Sequence, residues 1–255
     1  FKRIKRKRLC LPENLIKKSI RMLLPIICTR RVSNCRYFVG SVDDALTGEY
    51  DTIYTHRIAI DPEKLDLFTK ICETKKIDLH YDLDDDLIGI AESDHPERDF
   101  YSKLKPGLIK LIEIANEVTV STLELRTKIQ VYKSNATVRP NKLYRDLWLR
   151  DPFENNSKSI INIIYMGTLT HVNDVKIVIP ALQKIYEKYK YKVKVSTIGV
   201  SPNLAQYEFI NVIDIPPWAG ESYITFVDWI KSLGRFDIGV APLVDNDFNR
   251  SKSDI

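Results

Sequence analysis

The feature that most constrains the fold of this chain is a regular alternation of short apolar stretches with longer stretches of helical periodicity. Stretches with the length and apolar content of strands fall at 51–55, 77–81, 117–120, 137–139, 160–166, 193–198, 212–215 and 237–241. Apolar residues recur at three- and four-residue spacing over 62–74, 106–115, 122–131, 175–189 and 224–233. Such alternation is typical of α/β proteins with parallel sheets. We therefore predict a doubly wound α/β architecture.

A polar stretch without periodicity at 151–159 divides these elements into two groups. We predict that it links two Rossmann-like domains, at 37–150 and 160–255. The second group opens with a mostly apolar strand and Gly167, as a new doubly wound domain would. Only about four strands fit between 160 and 255, so we expect this second domain to be incomplete.

Residues 1–36 differ in composition from the rest of the chain. They contain twelve Lys or Arg residues and one acidic residue, whereas the net charge of the whole chain is only +5. Apolar residues are interspersed among these charges, which is typical of an amphipathic surface segment. We predict contact with an anionic membrane surface, and a solvated helix or an interdomain connector is the alternative. Nucleic-acid binding is disfavoured because residues 2–8 contain no aromatic residue and the remainder of the chain is acidic.

The composition also bears on the compartment and on metals. No apolar stretch approaches the roughly 20 residues that a membrane-spanning helix needs, and the chain start does not have the pattern of a secretion signal. The four cysteines lack CxxC spacing and are accompanied by only four histidines, which argues against a zinc site. We predict reduced thiols, a cytoplasmic protein and no bound metal.

A cluster of carboxylates follows the strand predicted at 77–81. It consists of Asp82, Asp84, Asp85 and Asp86. Ionised carboxylates this close repel one another, so the fold must supply hydrogen-bond donors, a cation or a polar ligand. Asp82 and Asp84 are two positions apart at a strand end, and we predict that both are catalytic. Asp85 or Asp86 is expected to cap the following helix.

Several segments, taken in order, resemble bacterial nucleotide-sugar glycosyltransferases of the GT-B architecture (group 1, family 4-like). They are YDTIYTHR at 50–57, YDLDDDL at 81–87, VTVST at 118–122, VRPN at 138–141, IYMGTLTHVND at 164–174 and FDIGVAPL at 236–243. The resemblance covers residues 36–255. It implies two Rossmann-like domains, with the acceptor mostly on the first and the nucleotide-sugar donor mostly on the second. The helix that carries the paired glutamates of the family would follow Ile255.

The resemblance also implies donor-binding residues in the second half. Gly167, Thr168 and His171 would approach the donor diphosphate at the next helix N-terminus. Lys252 and Ser253 follow the last predicted strand, and the ammonium group of Lys252 would neutralise the diphosphate. For His171 the alternative is a surface-loop histidine, and for Lys252 it is a terminal lysine without a role.

On the acceptor side, Arg57 and Asn141 are the candidates. Each has an ordinary alternative, since Arg57 can pair with Asp61 and Asn141 can serve a turn after Pro140. Asp82 or Asp84 would accept the proton of the acceptor hydroxyl or stabilise a developing oxocarbenium ion.

The resemblance thus predicts an enzyme that transfers a sugar from a nucleotide-sugar donor to a saccharide or lipid-linked saccharide in bacterial surface-polysaccharide synthesis. The nucleotide sugar is a substrate, and no cofactor is expected. The predicted location is cytoplasmic, at the inner face of the membrane. One alternative is a noncatalytic GT-B-like module that binds a saccharide or scaffolds a partner. Another is an Asp-x-Asp phosphatase or phosphotransferase, or a metal-dependent GT-A transferase, which the two-domain pattern disfavours.

Overall fold

The computed structural model describes residues 6–11, 35–58, 60–143, 145–149, 160–168, 171–199 and 202–253. These residues form two compact units. The first unit extends to residue 143 and also includes 250–253, and the second comprises 145–249. Each unit is built on its own parallel sheet, as the alternation of strands and helices predicted.

The first unit contains a six-stranded sheet. Its strands are β1 (Arg6–Leu11), β2 (Cys35–Val39), β3 (Thr52–His56), β4 (Asp78–Leu83), β5 (Glu117–Val120) and β6 (Thr137–Val138). Its helices are α1 (Val42–Thr47), α2 (Pro62–Lys75), α3 (Leu87–Glu92), α4 (Arg98–Ile114) and α5 (Leu123–Ile129). All neighbouring strands are parallel, in the order β2-β1-β3-β4-β5-β6.

The strand β1 corrects the prediction of a separate basic surface segment over residues 1–36. It lies between β2 and β3 in the sheet, and Leu9, Cys10 and Leu11 are almost completely buried. The guanidinium of Arg8 lies over the rings of two tyrosines on neighbouring strands, which accommodates its charge within the sheet. The first three residues of β1 are basic and the last three are apolar, so an apolar pattern alone does not identify this strand. The first unit therefore begins before residue 37. Residues 12–34 lie outside the described part of the chain.

Helix boundaries in the first unit follow local chemistry. The side chain of Asp61 caps α2 by accepting a hydrogen bond from the backbone N–H of Glu63, and Pro62 occupies the first helical position, where its fixed φ favours the helix. Helix α4 begins eight residues earlier than predicted, and Pro106 lies inside it. Proline is favoured in the first turn of a helix, but Pro106 lies in the interior of α4, so the predicted start at residue 106 is wrong.

Burial on β4 alternates as expected for a strand with one face in the core. Leu79, Tyr81 and Leu83 are buried, and the intervening residues are partly exposed. Tyr81 packs in a core that also contains the fully buried Phe68 and Ile112. This alternation directs Asp82 to the less buried face of the sheet and so away from the core.

Asp86 is predicted to contribute strongly to the stability of the first unit. Its carboxylate is only 3% exposed; it accepts a hydrogen bond from the N–H of Gly89 at 2.8 Å and pairs with the ammonium group of Lys128 at 2.7 Å. Asp86→Ala should therefore lower the free energy of unfolding by about 2 kcal/mol, measured by urea denaturation. The exposed Asp43 pairs with Lys64, and Asp43→Ala should cost less than about 0.5 kcal/mol. Equal losses of unfolding free energy in the two variants would contradict the stabilising role of Asp86.

The second unit contains a four-stranded sheet. Its strands are β7 (Ile161–Met166), β8 (Val193–Ile198), β9 (Ile210–Ile213) and β10 (Ile238–Val240). Its helices are α6 (Arg145–Trp148), α7 (Val172–Tyr189), α8 (Tyr223–Ser232) and, where the chain returns to the first unit, α9 (Asp247–Arg250). Short 3-10 turns occur at Lys190–Lys192, Pro202–Gln206 and Pro217–Gly220. The strands are parallel, in the order β10-β7-β8-β9.

The boundaries between the units differ from the predicted ones at two places. Helix α6 belongs to the second unit, where the indole N–H of Trp148 donates to the hydroxyl of Tyr223 at 2.7 Å. Residues 250–253 belong to the first unit, where Ser251 is completely buried and its carbonyl accepts from Thr122 at 2.8 Å. Both boundaries depend on tertiary contacts of single side chains. A change in composition along the sequence does not indicate such contacts. The predicted linker at 151–159 lies outside the described residues.

No helix in the described ranges combines the length and the apolar character required to cross a membrane.

Candidate functional site

The strand order of the first sheet identifies where a ligand would bind. The chain proceeds outward from β1 to β2 and then resumes on the other side of β1 with β3. In open parallel sheets, ligands bind beyond the carboxyl ends of the strands at such a reversal. His56 is the last residue of β3 and is only 4% exposed. The buried His56 therefore lies at the edge of the sheet where ligands bind in α/β proteins.

The two predicted catalytic aspartates both face this histidine. The Nε2 atom of His56 lies 3.2 Å from a carboxylate oxygen of Asp84 and 3.8 Å from one of Asp82. The hydroxyl of Thr119 donates a hydrogen bond to the other oxygen of Asp82, and the hydroxyl of Ser121 donates to the backbone carbonyl of Asp84 at 2.7 Å. Side chains at the end of β5 thus hold the carboxylate of Asp82 and the backbone of Asp84 in place.

Arg57 provides a second cationic group for the cluster. Its Nε atom lies 2.5 Å from Asp84, and its terminal nitrogen lies 2.6 Å from Asp85. Its backbone has a positive φ of 49°, and its carbonyl accepts a hydrogen bond from the hydroxyl of Tyr81 at 2.8 Å. Asp61, the alternative partner of Arg57, caps α2 by accepting a hydrogen bond from the backbone N–H of Glu63. The structure therefore brings Arg57 together with the predicted catalytic carboxylates.

The charge state of Asp84 follows from these contacts. Burial by itself would raise the pKa of Asp84, but the hydrogen bond from His56 and the positive charge of Arg57 outweigh it and hold the pKa well below its usual range. A carboxylate with so low a pKa is a weak base. Asp84 is thus suited to orient His56 and balance charge, and less suited to accept a proton.

The arrangement also bears on the Asp-x-Asp alternative. A metal-dependent phosphatase directs its two carboxylates at one cation. Here Asp82 and Asp84 both face the Nε2 atom of His56, and Arg57 also contacts Asp84. The space between the two carboxylates therefore holds protein side chains that already balance their charge. Across the described ranges, no group of three or more His, Cys, Asp or Glu side chains is arranged to hold a metal ion.

The second sheet has a comparable reversal between β7 and β10. Gly167 follows β7, and its N–H donates to the carbonyl of Ile198 at the end of β8. Gly199 has a positive φ of 71°, and a Cβ atom at this position would lie 2.5 Å from the carbonyl oxygen of Gly167. The two strand ends therefore approach each other closely through glycine backbones, beside the N-terminus of α7.

His171 lies at the N-terminus of α7 and is fixed by a buried carboxylate. Its Nδ1 atom is 2.6 Å from Asp174, which is 4% exposed. The other oxygen of Asp174 accepts from the N–H of Val244 at 2.7 Å and from the side chain of Asn249 at 3.1 Å. Asp174 thus joins the loop after β10 to the start of α7 and orients the imidazole.

Sequence reasoning did not assign Asp174 and Asn249 a role. A signal for Asp174 was present, because an acidic residue in the first turn of a helix is favoured next to the unpaired N–H groups there. Asn249 gave no such signal, since its contact with Asp174 spans 75 residues.

The structure places the predicted site residues in three groups. Asp82, Asp84 and Arg57 lie together in the first unit, and Gly167, Thr168 and His171 lie together in the second. Lys252, Ser253 and Asn141 belong to the first unit, where the side-chain amide of Asn141 donates to the hydroxyl of Ser253 at 2.7 Å. The donor-binding role of Lys252 and Ser253 stays a prediction, as do the roles of the other site residues.

Comparisons with known proteins detect the fold, although sequence similarity is low. No protein-family model matches the chain, and no curated protein sequence matches it. Among solved structures, TarM has a TM-score of 0.50 and 11% identity, over 74% of this chain and 36% of TarM. The complex of S. aureus MnaA with UDP has a TM-score of 0.49 and 9% identity, over 89% and 72%. The α,α-trehalose-6-phosphate synthase from Burkholderia multivorans has a TM-score of 0.49 and 13% identity, over 82% and 56%.

The match to TarM defines the class of the fold. Two α/β units with parallel sheets, together with the match to TarM, show that the chain has the GT-B fold of glycosyltransferases. The predicted α/β fold with two Rossmann-like domains is thereby confirmed. The chain spans about a third of the length of TarM, at 36%.

Proposed function

We propose that this chain is the donor- and acceptor-binding part of a glycosyltransferase that transfers a sugar from a nucleotide-sugar donor to a saccharide or lipid-linked saccharide in bacterial surface-polysaccharide synthesis. The observation that carries the proposal is the contact of buried His56 with Asp84 beyond the carboxyl end of β3, within a GT-B fold. The choice of substrate class rests on the motif resemblance.

In the proposed reaction, His56 is the general base. Ionised carboxylates can only accept hydrogen bonds, so the contacts with Asp82 and Asp84 place the ring proton on Nε2. The Nδ1 atom then carries the basic lone pair, and it is buried without a hydrogen-bond partner among the described residues. Imidazole is well suited to this role because it exchanges a proton near neutral pH. Asp84 and Asp82 position the ring and stabilise the imidazolium that forms.

The acceptor oxygen forms a bond to the anomeric carbon of the donor while the bond from that carbon to the diphosphate oxygen breaks. The hydroxyl proton moves to His56, and the bonding electron pair leaves with the nucleoside diphosphate. A helix N-terminus and cationic side chains stabilise the leaving diphosphate. We propose that the α7 N-terminus, with Gly167, Thr168 and His171, provides this site, and the donor-binding roles of Lys252 and Ser253 stay predictions.

We further propose that the protein acts in the cytoplasm, at the inner face of the membrane, where a lipid-linked acceptor is accessible. Membrane contact through residues 1–36 stays a prediction, now limited to those that lie outside β1 and β2. Arg57 and Asn141 are proposed to contact the acceptor.

Calorimetric titration of the chain with a panel of nucleoside diphosphates tests the proposed donor site. We expect binding that does not require Mg²⁺ and that weakens about tenfold in His171→Ala and in Lys252→Ala, because each variant removes a polar or charged contact to phosphate. His95 lies in the other unit, where it accepts a hydrogen bond from the N–H of Glu97, and His95→Ala should bind as the wild type does. Strict dependence on Mg²⁺, or equal weakening in all three variants, would contradict this donor site.

A further inference from the structure

The second unit has a basic and aromatic surface where α7 ends and β8 begins. The sequence from 184 to 194 is KIYEKYKYKVK. All five of its lysines are exposed, namely Lys184, Lys188, Lys190, Lys192 and Lys194. Tyr189 is 47% exposed, and Tyr191 is 91% exposed. We call residues 184–194 the lysine–tyrosine surface.

The backbone fixes the shape of this surface. Lys190 has a positive φ of 41°, and a 3-10 turn over Lys190–Lys192 joins α7 directly to β8. The ring of Tyr186 packs against Phe209 with a centroid distance of 5.7 Å, and the ammonium group of Lys188 lies 5.2 Å from the ring centre of Tyr189. The exposed side chains therefore project from an ordered turn.

The charge of this surface is not balanced locally. Within the part of the chain that the structure describes, none of its five lysines forms an ion pair. Glu187 is the single acidic residue of the surface and accepts a hydrogen bond from Gln183. A lysine in the last turn of a helix interacts favourably with the helix dipole, which accounts for Lys188 alone. Helix stabilisation does not explain the other lysines or the exposed tyrosines.

We propose that the lysine–tyrosine surface binds the surface of a membrane that contains anionic lipids. Lysines near such a surface are attracted by its negative potential, and tyrosine rings are favoured at the level of the lipid headgroups, where one end meets apolar groups and the hydroxyl meets water. All the cations are lysines, whereas recognition of individual phosphates in nucleic acids favours the bidentate geometry of arginine. Charge complementarity therefore points to a lipid surface.

The location within the unit is compatible with ligand binding. The surface lies at the amino end of β8, and Gly199 follows the carboxyl end of the same six-residue strand. Six extended residues span about 20 Å. Membrane contact would thus leave the strand ends that carry Gly167 and Gly199 uncovered. The proposal does not depend on the proposed glycosyl transfer, and it involves other residues than 1–36.

Co-sedimentation with phosphatidylcholine vesicles, with and without phosphatidylglycerol, tests this proposal. The chain should bind the phosphatidylglycerol vesicles and dissociate as the salt concentration rises. Replacing Lys188, Lys190 and Lys192 together by Gln should lower the partition coefficient on the order of 100-fold. Tyr191→Ser should lower it roughly fivefold. Because all four positions are exposed, thermal unfolding should be unchanged in Tyr191→Ser and only slightly lowered in the triple variant, which loses the interaction of Lys188 with the helix dipole.

A charge-matched control separates this surface from net charge. Lys70, Lys76 and Lys103 are exposed lysines of the first unit, and their combined replacement by Gln changes the net charge equally. This control should bind vesicles nearly as well as the wild type does. Equal losses in both triple variants, unchanged binding after replacement of the surface lysines, or no binding of the wild type to phosphatidylglycerol vesicles would each overturn the proposal. So would tighter binding to RNA or duplex DNA than to the vesicles.

Discussion

Asp84→Ala is expected to lower the free energy of unfolding by about 2 to 3 kcal/mol at neutral pH. The carboxylate is 17% exposed and contacts two cationic or potentially cationic groups, His56 and Arg57. The guanidinium of Arg57 is 25% exposed and therefore partly desolvated. Removing the carboxylate of Asp84 deprives this guanidinium of one of its two carboxylate partners, which destabilises the folded state. Urea denaturation at neutral pH measures the effect.

The matched control is Asp66→Ala on the surface of the same unit. Asp66 pairs with Lys110 and is 90% exposed, so solvent screens the attraction and the loss should be less than about 0.5 kcal/mol. An Asp84→Ala variant that lost no more unfolding free energy than Asp66→Ala would show that the contacts of Asp84 with His56 and Arg57 do not stabilise the first unit.

The pH dependence provides a second readout for Asp84. Its pKa is lowered in the folded state, so its contribution to stability is fully present above the ordinary carboxyl pKa of about 4 and declines as the pH falls below that value toward the folded pKa. The difference in unfolding free energy between wild type and Asp84→Asn should therefore shrink between neutral pH and about pH 3. A difference that grew as the pH fell would show that burial, and not pairing, dominates at this carboxyl.

Gly199→Ala is expected to destabilise the second unit by about 3 kcal/mol. Two costs combine at this position. An alanine is strained at a φ of +71°, and its Cβ would lie 2.5 Å from the carbonyl oxygen of Gly167. That oxygen belongs to the backbone, so relief requires the end of β7 to move away from the end of β8. Thermal or urea unfolding of the variant measures the combined cost.

Two other glycines of the second unit separate these costs. Gly234 has a φ of +89° with no atom within 4 Å of a built Cβ, and Gly220 has neither a positive φ nor a nearby atom. Gly234→Ala should cost about 1 kcal/mol from backbone strain alone, and Gly220→Ala should change stability by less than about 0.5 kcal/mol. A smaller loss in Gly199→Ala than in Gly234→Ala would show that the strand ends separate at little cost.

The Gly199 prediction also bears on the proposed donor site. If the ends of β7 and β8 must stay close to present the loop at Gly167, then Gly199→Ala should weaken nucleoside diphosphate binding under conditions in which the variant is still folded. Unchanged binding would place the diphosphate elsewhere than beside Gly167.

Much of the candidate site could be predicted because parallel strands end at the same edge of a sheet. Asp82 and Asp84 could be assigned to a strand end from the alternation at 77–81, and Asp85 or Asp86 could be expected to act as a cap. The chemistry within the cluster could not be predicted. Which of several nearby groups neutralises Asp84 depends on distances of a few ångströms between strands, and on the positive φ that turns Arg57 toward the carboxylates.

The sequence by itself determined the alternation of strands and helices, the GT-B-like order of the motifs and the position of most strands, because these depend on local periodicity and on spacing along the chain. Tertiary structure decided the membership of β1 in the first sheet, the return of residues 250–253 to the first unit and the contacts of Asp174. Each of these depends on partners that are distant in sequence, such as Ser251 and Thr122. Local patterns do not encode those pairings, since burial and charge compensation are properties of the folded chain.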